Sequence, residues 1–149
     1  MAVKYKIVFV ADKCIRCYAC EVACKSWREV EFGVRLRRIV PGWEGDYPEL
    51  KNIPISAACI HCDEPPCAEA CPVEAIKKDS ENGLVLVDRE MCTGCQLCLE
   101  ACPYDAPQFG EDGTMRICDL CHERIDSQST TPSCVSTCPT GALILQKEE

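Results

Sequence analysis

Histidine, basic residues and long apolar runs are all scarce in this sequence. Only two histidines occur among 149 residues, and both lie beside cysteines, so serine, histidine and acidic side chains form no convincing catalytic set. Arginine and lysine number 16 against 24 acidic residues, and the formal net charge of −8 argues against nucleic acid, whose phosphates require a basic face. No apolar run approaches the roughly 18 residues of a membrane span. These scarcities argue against a self-sufficient enzyme, a nucleic-acid-binding protein and a direct membrane span.

Nucleotide-binding and targeting signals are also missing. Neither G-x-G-x-x-G nor G-x-x-x-x-G-K-[ST] occurs, and Gly110-Glu111-Asp112-Gly113 predicts a turn instead of a phosphate loop. The apolar stretch from Ile7 to Ala11 is too short for a secretory signal, and no twin-arginine pair precedes it. We therefore expect a cytoplasmic protein, although a chain without a signal can be exported together with a twin-arginine partner.

Cysteine, by contrast, occupies 16 of the 149 positions. A small chain this rich in cysteine is held together by disulfides or by metal, and a reducing cytoplasm favours metal. Two groups of four cysteines follow C-x2-C-x2-C-x3-C, and two carry an insertion before the third cysteine. The four quartets are Cys14, Cys17, Cys20 and Cys24; Cys59, Cys62, Cys67 and Cys71; Cys92, Cys95, Cys98 and Cys102; and Cys118, Cys121, Cys134 and Cys138.

The uninterrupted spacing is that of bacterial ferredoxins. Two-residue gaps let a loop curl around one iron–sulfur cube, with backbone N–H groups pointing towards the anionic cluster. The fourth cysteine lies about one helical turn further on, and in three quartets proline follows it, at Pro72, Pro103 and Pro139. Proline turns the chain away, so the fourth sulfur reaches the other cluster of a two-cluster unit. Four complete quartets therefore predict four [4Fe–4S] clusters.

Zinc is the alternative metal, because the quartet from Cys118 to Cys138 viewed alone resembles a zinc ribbon. Zinc ribbons use two separated C-x2-C pairs, however, whereas C-x2-C-x2-C places three sulfurs in seven residues, which suits a cube better than one tetrahedral ion. A zinc-stapled interaction module would also be colourless.

Short β-rich runs flank the cysteine loops, at Tyr5 to Val10, Leu84 to Val87 and Leu143 to Leu145. The segments after the three Cys-Pro pairs, beginning at Val73, Tyr104 and Thr140, are typical of turns that lead back into strands. The predicted fold class is α+β, with two small ferredoxin-like units that each carry two clusters.

Four stretches of the chain resemble a known family, the four-cluster ferredoxin-like subunits of molybdenum and tungsten bis-pterin oxidoreductases, such as the small subunits of dimethyl sulfoxide, polysulfide and nitrite-reduction systems. The stretches are CIHCDEPPC at 59–67, CTGCQLC at 92–98, CPYDAP at 102–107 and CPTGA at 138–142. The resemblance implies that one unit is inserted into the other. The outer unit would comprise residues 1–25 and 112–149, the inserted unit 53–111, and residues 26–52 a cysteine-free insertion.

The resemblance also implies ligand sets that cross between quartets, the first with the fourth and the second with the third. The implied sets are Cys14, Cys17 and Cys20 with Cys138; Cys118, Cys121 and Cys134 with Cys24; Cys59, Cys62 and Cys67 with Cys102; and Cys92, Cys95 and Cys98 with Cys71. Some relatives replace a cysteine of the third quartet and carry a three-iron cluster there, but this chain has all four.

The family implies a non-catalytic chain that relays single electrons between a large molybdo- or tungstopterin catalytic subunit and a flavin subunit, a ferredoxin or another acceptor. The sequence ends soon after Cys138, without the extension that many members use against a membrane subunit. This favours the soluble partners of tungsten aldehyde oxidoreductases, although the ligand pattern fits both. The residues alone also fit a free-standing polyferredoxin that diffuses or self-associates. A cluster-bearing catalytic or sensor protein would instead lack a cysteine in one quartet.

Outside the quartets, two features have alternative interpretations. His61 and His122 are expected to face solvent or to support a neighbouring cysteine, because every quartet is already full. The stretch from Ser26 to Asn52 is rich in aromatic and arginine residues, which are enriched at interfaces. It is interpreted as a docking surface for the catalytic subunit or as a lid over the outer clusters. Its residues are Trp27, Arg28, Arg35, Arg37, Arg38, Trp43 and Tyr47.

Overall fold

The two ends of the chain pair with each other. A computed structural model describes residues 4–123 and 131–148. Strand β1 (Lys4–Phe9) lies antiparallel to β8 (Leu143–Glu148), with Ile7 opposite Leu145. Both strands are predicted by the sequence, and β8 continues past Leu145. A short 3₁₀ helix, Ala11–Lys13, then leads from β1 into the first cysteine loop.

Within the described residues, a short helix carries the third cysteine of every quartet. The helices are α1 (Ala19–Arg28), α2 (Pro66–Glu69), α3 (Leu97–Ala101) and α4 (Ser133–Ser136). The fourth cysteine of each quartet follows about one turn later, as the x3 spacing predicts. Helix α1 packs against α4, and α2 packs against α3. These contacts bring the first quartet to the fourth and the second to the third.

The remaining strands form two-stranded antiparallel hairpins. They are β2 (Arg38–Glu44) with β3 (Lys51–Ala57), β4 (Ile76–Lys78) with β5 (Val85–Val87), and β6 (Gln108–Phe109) with β7 (Met115–Arg116). The strand predicted from Leu84 is confirmed and begins at Val85. The predicted turn before β7 is also confirmed, since Gly113 N–H donates to Gly110 O at 3.0 Å. The β2–β3 hairpin fills most of the cysteine-free insertion and extends past it to Ala57.

Cysteines form part of the core itself. Three groups of buried residues pack in the described chain, and each includes cysteine side chains. Cys24 and Cys118 pack with Leu36 in the first group, and Cys67 and Cys98 pack with Met115 in the second. The predicted α+β content is confirmed, but it is built on small elements around cysteine loops. None of the described helices combines the length and hydrophobicity needed to cross a membrane.

Candidate iron–sulfur centres

All four cysteine loops share one backbone feature. The residue two positions after the first cysteine of each quartet has a positive φ, an uncommon conformation for a residue with a side chain. These residues are Arg16 (57°), His61 (53°), Gly94 (69°) and Leu120 (56°). Alternating helical and left-handed residues turn successive N–H groups to one side and form a concave anion-binding surface. The internal repeat in the sequence is therefore a repeat of backbone shape as well.

Backbone N–H groups point at several of the sulfurs. Ala75 N donates to Cys71 Sγ at 3.3 Å, and Ala142 N donates to Cys138 Sγ at 3.3 Å, four residues beyond each cysteine. Each bond closes over a Cys-Pro turn. In the turn after Cys71, Glu74 has a φ of 52°. At Cys138, burial acts to raise the pKa, but the N–H groups of the following turn outweigh it, and the pKa is lowered. The turn after Cys138, which the sequence predicts, thus stabilises its thiolate.

Two cavities are each lined by four cysteines from two different quartets. In both, the three sulfurs of one quartet meet the fourth cysteine of the other. One cavity is lined by Cys59, Cys62, Cys67 and Cys102, and the other by Cys71, Cys92, Cys95 and Cys98. These are the same groupings that the resemblance implies for the second and third quartets.

The first and fourth quartets also exchange cysteines. Cys24 lies beside Cys118, Cys121 and Cys134, whose charges act on its thiol. Cys14 and Cys138 pack against a buried group that contains Cys20 and also Cys134. Cys17, the remaining member of that implied set, is exposed. The structure therefore brings all four implied partners together at three sites and groups Cys14, Cys20 and Cys138 at the other.

Burial makes bare thiolates unfavourable here. It raises the pKa of Cys118 to about 11 and is the largest cause that raises the pKa of Cys24 to about 12. It likewise raises the pKa of Cys59 to about 12. Such groups keep their protons at neutral pH unless a cation replaces them. Four-thiol cavities with inward N–H groups and buried sulfurs fit an iron–sulfur cube, whose irons supply that positive charge.

We expect these raised pKa values to set the acid sensitivity of the iron-loaded chain. A raised pKa keeps the thiol protonated over a wider pH range. Protons therefore compete with iron at every pH below the raised pKa, and the competition strengthens as the pH falls. The visible absorbance should bleach faster at pH 6 than at pH 8, and bleaching should still slow between pH 8.5 and pH 10. Stopped-flow pH jumps under argon would measure the rates. A rate that levels off at about 8.5, the ordinary thiol pKa, would contradict this expectation.

The two histidines support the loops in different ways. His61 Nδ1 accepts a hydrogen bond from Val85 N–H at 2.9 Å, and burial lowers its pKa to about 4, so the ring is neutral. His122 Nδ1 lies 3.4 Å from Asp119 Oδ2. Asp119 itself pairs with Arg28 at 2.7 Å and accepts the Cys121 N–H at 3.0 Å. Asp119 was not singled out by the sequence, although its place between Cys118 and Cys121 is the signal that could have found it.

The stretch from Ser26 to Asn52 divides its side chains between two faces. Arg37 is buried, and Arg38 donates to Asp105 O at 2.7 Å, beside the fourth cysteine of the third quartet. Trp43 and Tyr47 project outwards, with 68% and 89% of their surfaces exposed. The inward face packs on the cysteine loops, and the outward face is exposed.

Comparison with known proteins agrees with this geometry. The 4Fe-4S dicluster domain family matches residues 51–148, and a 4Fe-4S binding domain matches residues 11–27. The protein is 37% identical to one of the polypeptides of the anaerobic dimethyl sulfoxide reductase of Escherichia coli, over 96% of its own length and 73% of the relative. It is 36% identical to the formate dehydrogenase iron-sulfur subunit of Wolinella succinogenes, over 93% and 80%. It is 32% identical to one of the subunits of the sulfite dehydrogenase of Allochromatium vinosum, over 91% and 65%. The protein belongs to the 4Fe-4S dicluster domain family, and its resemblance to iron–sulfur electron-transfer subunits of the dimethyl sulfoxide reductase type is confirmed.

Proposed function

We propose that this chain is the electron-transfer subunit of a larger oxidoreductase and holds four [4Fe–4S] clusters. The observation that carries the proposal is the pair of cavities lined by four cysteines each, with seven of the other eight cysteines grouped in agreement with the same pattern. Iron–sulfur cubes held by four thiolates exchange single electrons without covalent change in the protein. The chain's own residues bind the cubes, exclude water from them and present N–H groups to their sulfurs.

The ligand sets that we propose are those that cross between quartets. The cavities support the two inner sets. The neighbours of Cys24 support the set with Cys118, Cys121 and Cys134, and the packing around Cys20 supports grouping it with Cys14 and Cys138. Cys17 completes that last set by the family resemblance. A single metal ion fits these sites less well. Tetrahedral zinc with bonds of 2.3 Å would draw sulfurs to within about 3.8 Å of one another, and in residues 4–123 and 131–148 no three His, Cys, Asp or Glu side chains converge on such a point.

The contacts between sets suggest a linear order for the four sites. Cys20 of one set lies beside Cys134 of the next, and Cys118 of that set lies beside Cys59. Cys67 in turn lies beside Cys98 of the last set. The two exposed cysteines of the chain, Cys17 and Cys95, belong to the first and the last of these sets. Electrons would therefore enter and leave through the two end sites, and the two middle sites would be shielded.

Contacts between strands and between helices support a further part of the proposal, in which one ferredoxin-like unit is inserted into the other. The pairing of β1 with β8 and of α1 with α4 joins residues 1–25 to residues 112–149. The packing of α2 on α3, and of β4 on β5, lies within residues 53–111. The hairpin of β2 and β3 adds the third segment, and Arg38 ties it to the inserted unit.

The partner that we propose is a large molybdo- or tungstopterin catalytic subunit, with a flavin subunit, a ferredoxin or another acceptor at the opposite end. The relatives support this by their names, which are those of components of reductases and dehydrogenases. Trp43 and Tyr47, with Leu50 and Ile55 half exposed nearby, supply an aromatic and apolar docking surface. The hairpin also contacts the loop of the first exposed site, because Arg16 in that loop donates a hydrogen bond to Asn52 Oδ1 in the hairpin.

Purification under argon tests the proposal directly. The complex should contain about sixteen irons per copy of this chain, since four cubes hold four irons each, with molybdenum or tungsten on a larger co-purifying subunit. The chain with Trp43→Ala and Tyr47→Ser should keep its iron and lose that subunit, whereas Phe32→Ser, which alters a side chain that is 95% exposed, should keep both.

Other outcomes would select other functions. Full iron with no large partner and neither metal would favour the free polyferredoxin, alone or self-associated. Stoichiometric zinc with little iron would contradict the electron-transfer proposal.

A further inference from the structure

Arg37 is a buried cation with no acidic partner in the described part of the chain. It is 4% exposed, and Nη1 donates to Ser56 Oγ, a neutral group, at 2.7 Å. Its Nε has no hydrogen-bond partner. Three other arginines form ion pairs with carboxylates. Arg28 pairs with Asp119 and Arg35 with Glu21, while Arg116 pairs with two carboxylates. Among residues 4–123 and 131–148, no such ion pair forms at Arg37.

A buried guanidinium without a counter-charge is strongly unfavourable, so a negative group must face it in the functional protein. The groups that face Arg37 are thiols. It interacts with the side chain of Cys134 and with the charges of Cys118 and Cys24. These are three of the four cysteines of one proposed ligand set. The charge of Arg37 also acts on the thiol of Cys20, which belongs to the neighbouring set.

Packing fixes the guanidinium in this place. Leu36, the preceding residue, is buried with Cys24 and Cys118, and Ile39 is buried with Cys20 and Cys134. Ile39 also pairs with Ser56 in the β2–β3 ladder, so the hairpin holds both ends of the Arg37 to Ser56 hydrogen bond. The positive charge is therefore preorganised beside one site and is screened little by solvent.

We propose that Arg37 is the counter-ion of the cluster held by Cys24, Cys118, Cys121 and Cys134 and raises the reduction potential of that cluster. The inference rests on the proposed ligand sets. One electron arriving from a neighbouring cluster adds one negative charge, with no bond made and no proton moved. A fixed guanidinium favours that added charge, so this middle site holds electrons more tightly than it would beside a neutral residue.

Anaerobic redox titration of the intact complex, followed by EPR, tests the role. Arg37→Gln should lower one of the four midpoint potentials more than the other three, with at least a tenfold fall in the equilibrium constant for reduction, which is 59 mV for one electron. Arg37→Lys, which keeps the charge, should return most of the shift. Arg35→Gln, which removes an exposed arginine two residues away, should leave all four potentials unchanged.

A second pair of variants covers the case in which Arg37→Gln assembles poorly. Ser56→Asp places a carboxylate against the guanidinium and should lower the same potential, whereas the neutral Ser56→Asn should not. Equal potentials in Ser56→Asp and Ser56→Asn, or in Arg37→Gln and wild type, would overturn the proposal. So would loss of the cluster from both charge variants, which would show a role in assembly instead. A wild-type complex without four reduction steps would instead contradict the proposed function.

Discussion

Removal of iron should unfold most of this chain. The α-helices in residues 4–123 and 131–148 are between 4 and 10 residues long, shorter than the ~12 residues at which isolated helices become marginally stable in water. The sheets in the same ranges have two strands each, and a lone hairpin is at best marginally stable. The buried groups that join these elements include the ligand cysteines themselves. Without iron, little remains to offset the conformational entropy of about 1 to 2 kcal/mol per ordered residue.

Far-UV circular dichroism and amide hydrogen exchange would measure the loss. Iron should be removed by a chelator under argon with reductant present, so that the sixteen free thiols do not form disulfides. Exchange protection at β1 and β8 should vanish, and reconstitution with ferrous iron and sulfide should restore it. An untreated sample at the same pH and reductant concentration is the control. Native protection in the iron-free chain would show that the apolar groups alone specify the fold.

Much of the architecture is predictable because its signals are local. The runs of β-branched residues in β1 and β5 are strands, and the turns after the Cys-Pro pairs return into strands as expected. The β2–β3 hairpin, in contrast, has the wrong local signals. Pro41 lies opposite Pro54, and proline is depleted in strands. In a two-stranded ribbon each strand is an edge, so proline's missing N–H can face outwards, which only the tertiary pairing reveals.

The cysteine loops show the same limit at finer scale. Gly94 signals a positive φ, and a Cβ there would clash with Gly113 O. Arg16, His61 and Leu120 take the same conformation although none of them is a glycine that would signal it. Similarly, composition shows that arginines cluster between Arg35 and Arg38, but only the folded structure shows that Arg37, directly before β2, is the buried one.

Paired cysteine substitutions should reveal which quartets share clusters. If Cys102 serves the same cube as Cys59, as their common cavity suggests, Cys59→Ala with Cys102→Ala should remove one cluster and leave about twelve irons. Cys92→Ala with Cys102→Ala should damage two clusters, because its members lie in different sets. Its iron should fall to about eight, or its EPR spectrum should show two altered clusters if three-iron forms survive.

The two double variants are matched, since each removes two thiols and each includes Cys102. The outer layer offers the same comparison, with Cys24→Ala combined either with Cys121→Ala, from its own proposed set, or with Cys17→Ala, from the other set. If clusters formed within quartets, the results would reverse, and the pair from one quartet would keep about twelve irons. Iron analysis on anaerobically purified protein, normalised by amino-acid analysis, distinguishes the two outcomes.

Because α1 contacts α4 and α2 contacts α3, the crossed arrangement also links the helices across each unit, which local clusters within single quartets would leave unlinked. The crossed pairs should therefore lower the midpoint of urea unfolding less than the pairs taken from one quartet, since they spare one of the two cubes that join each helix pair.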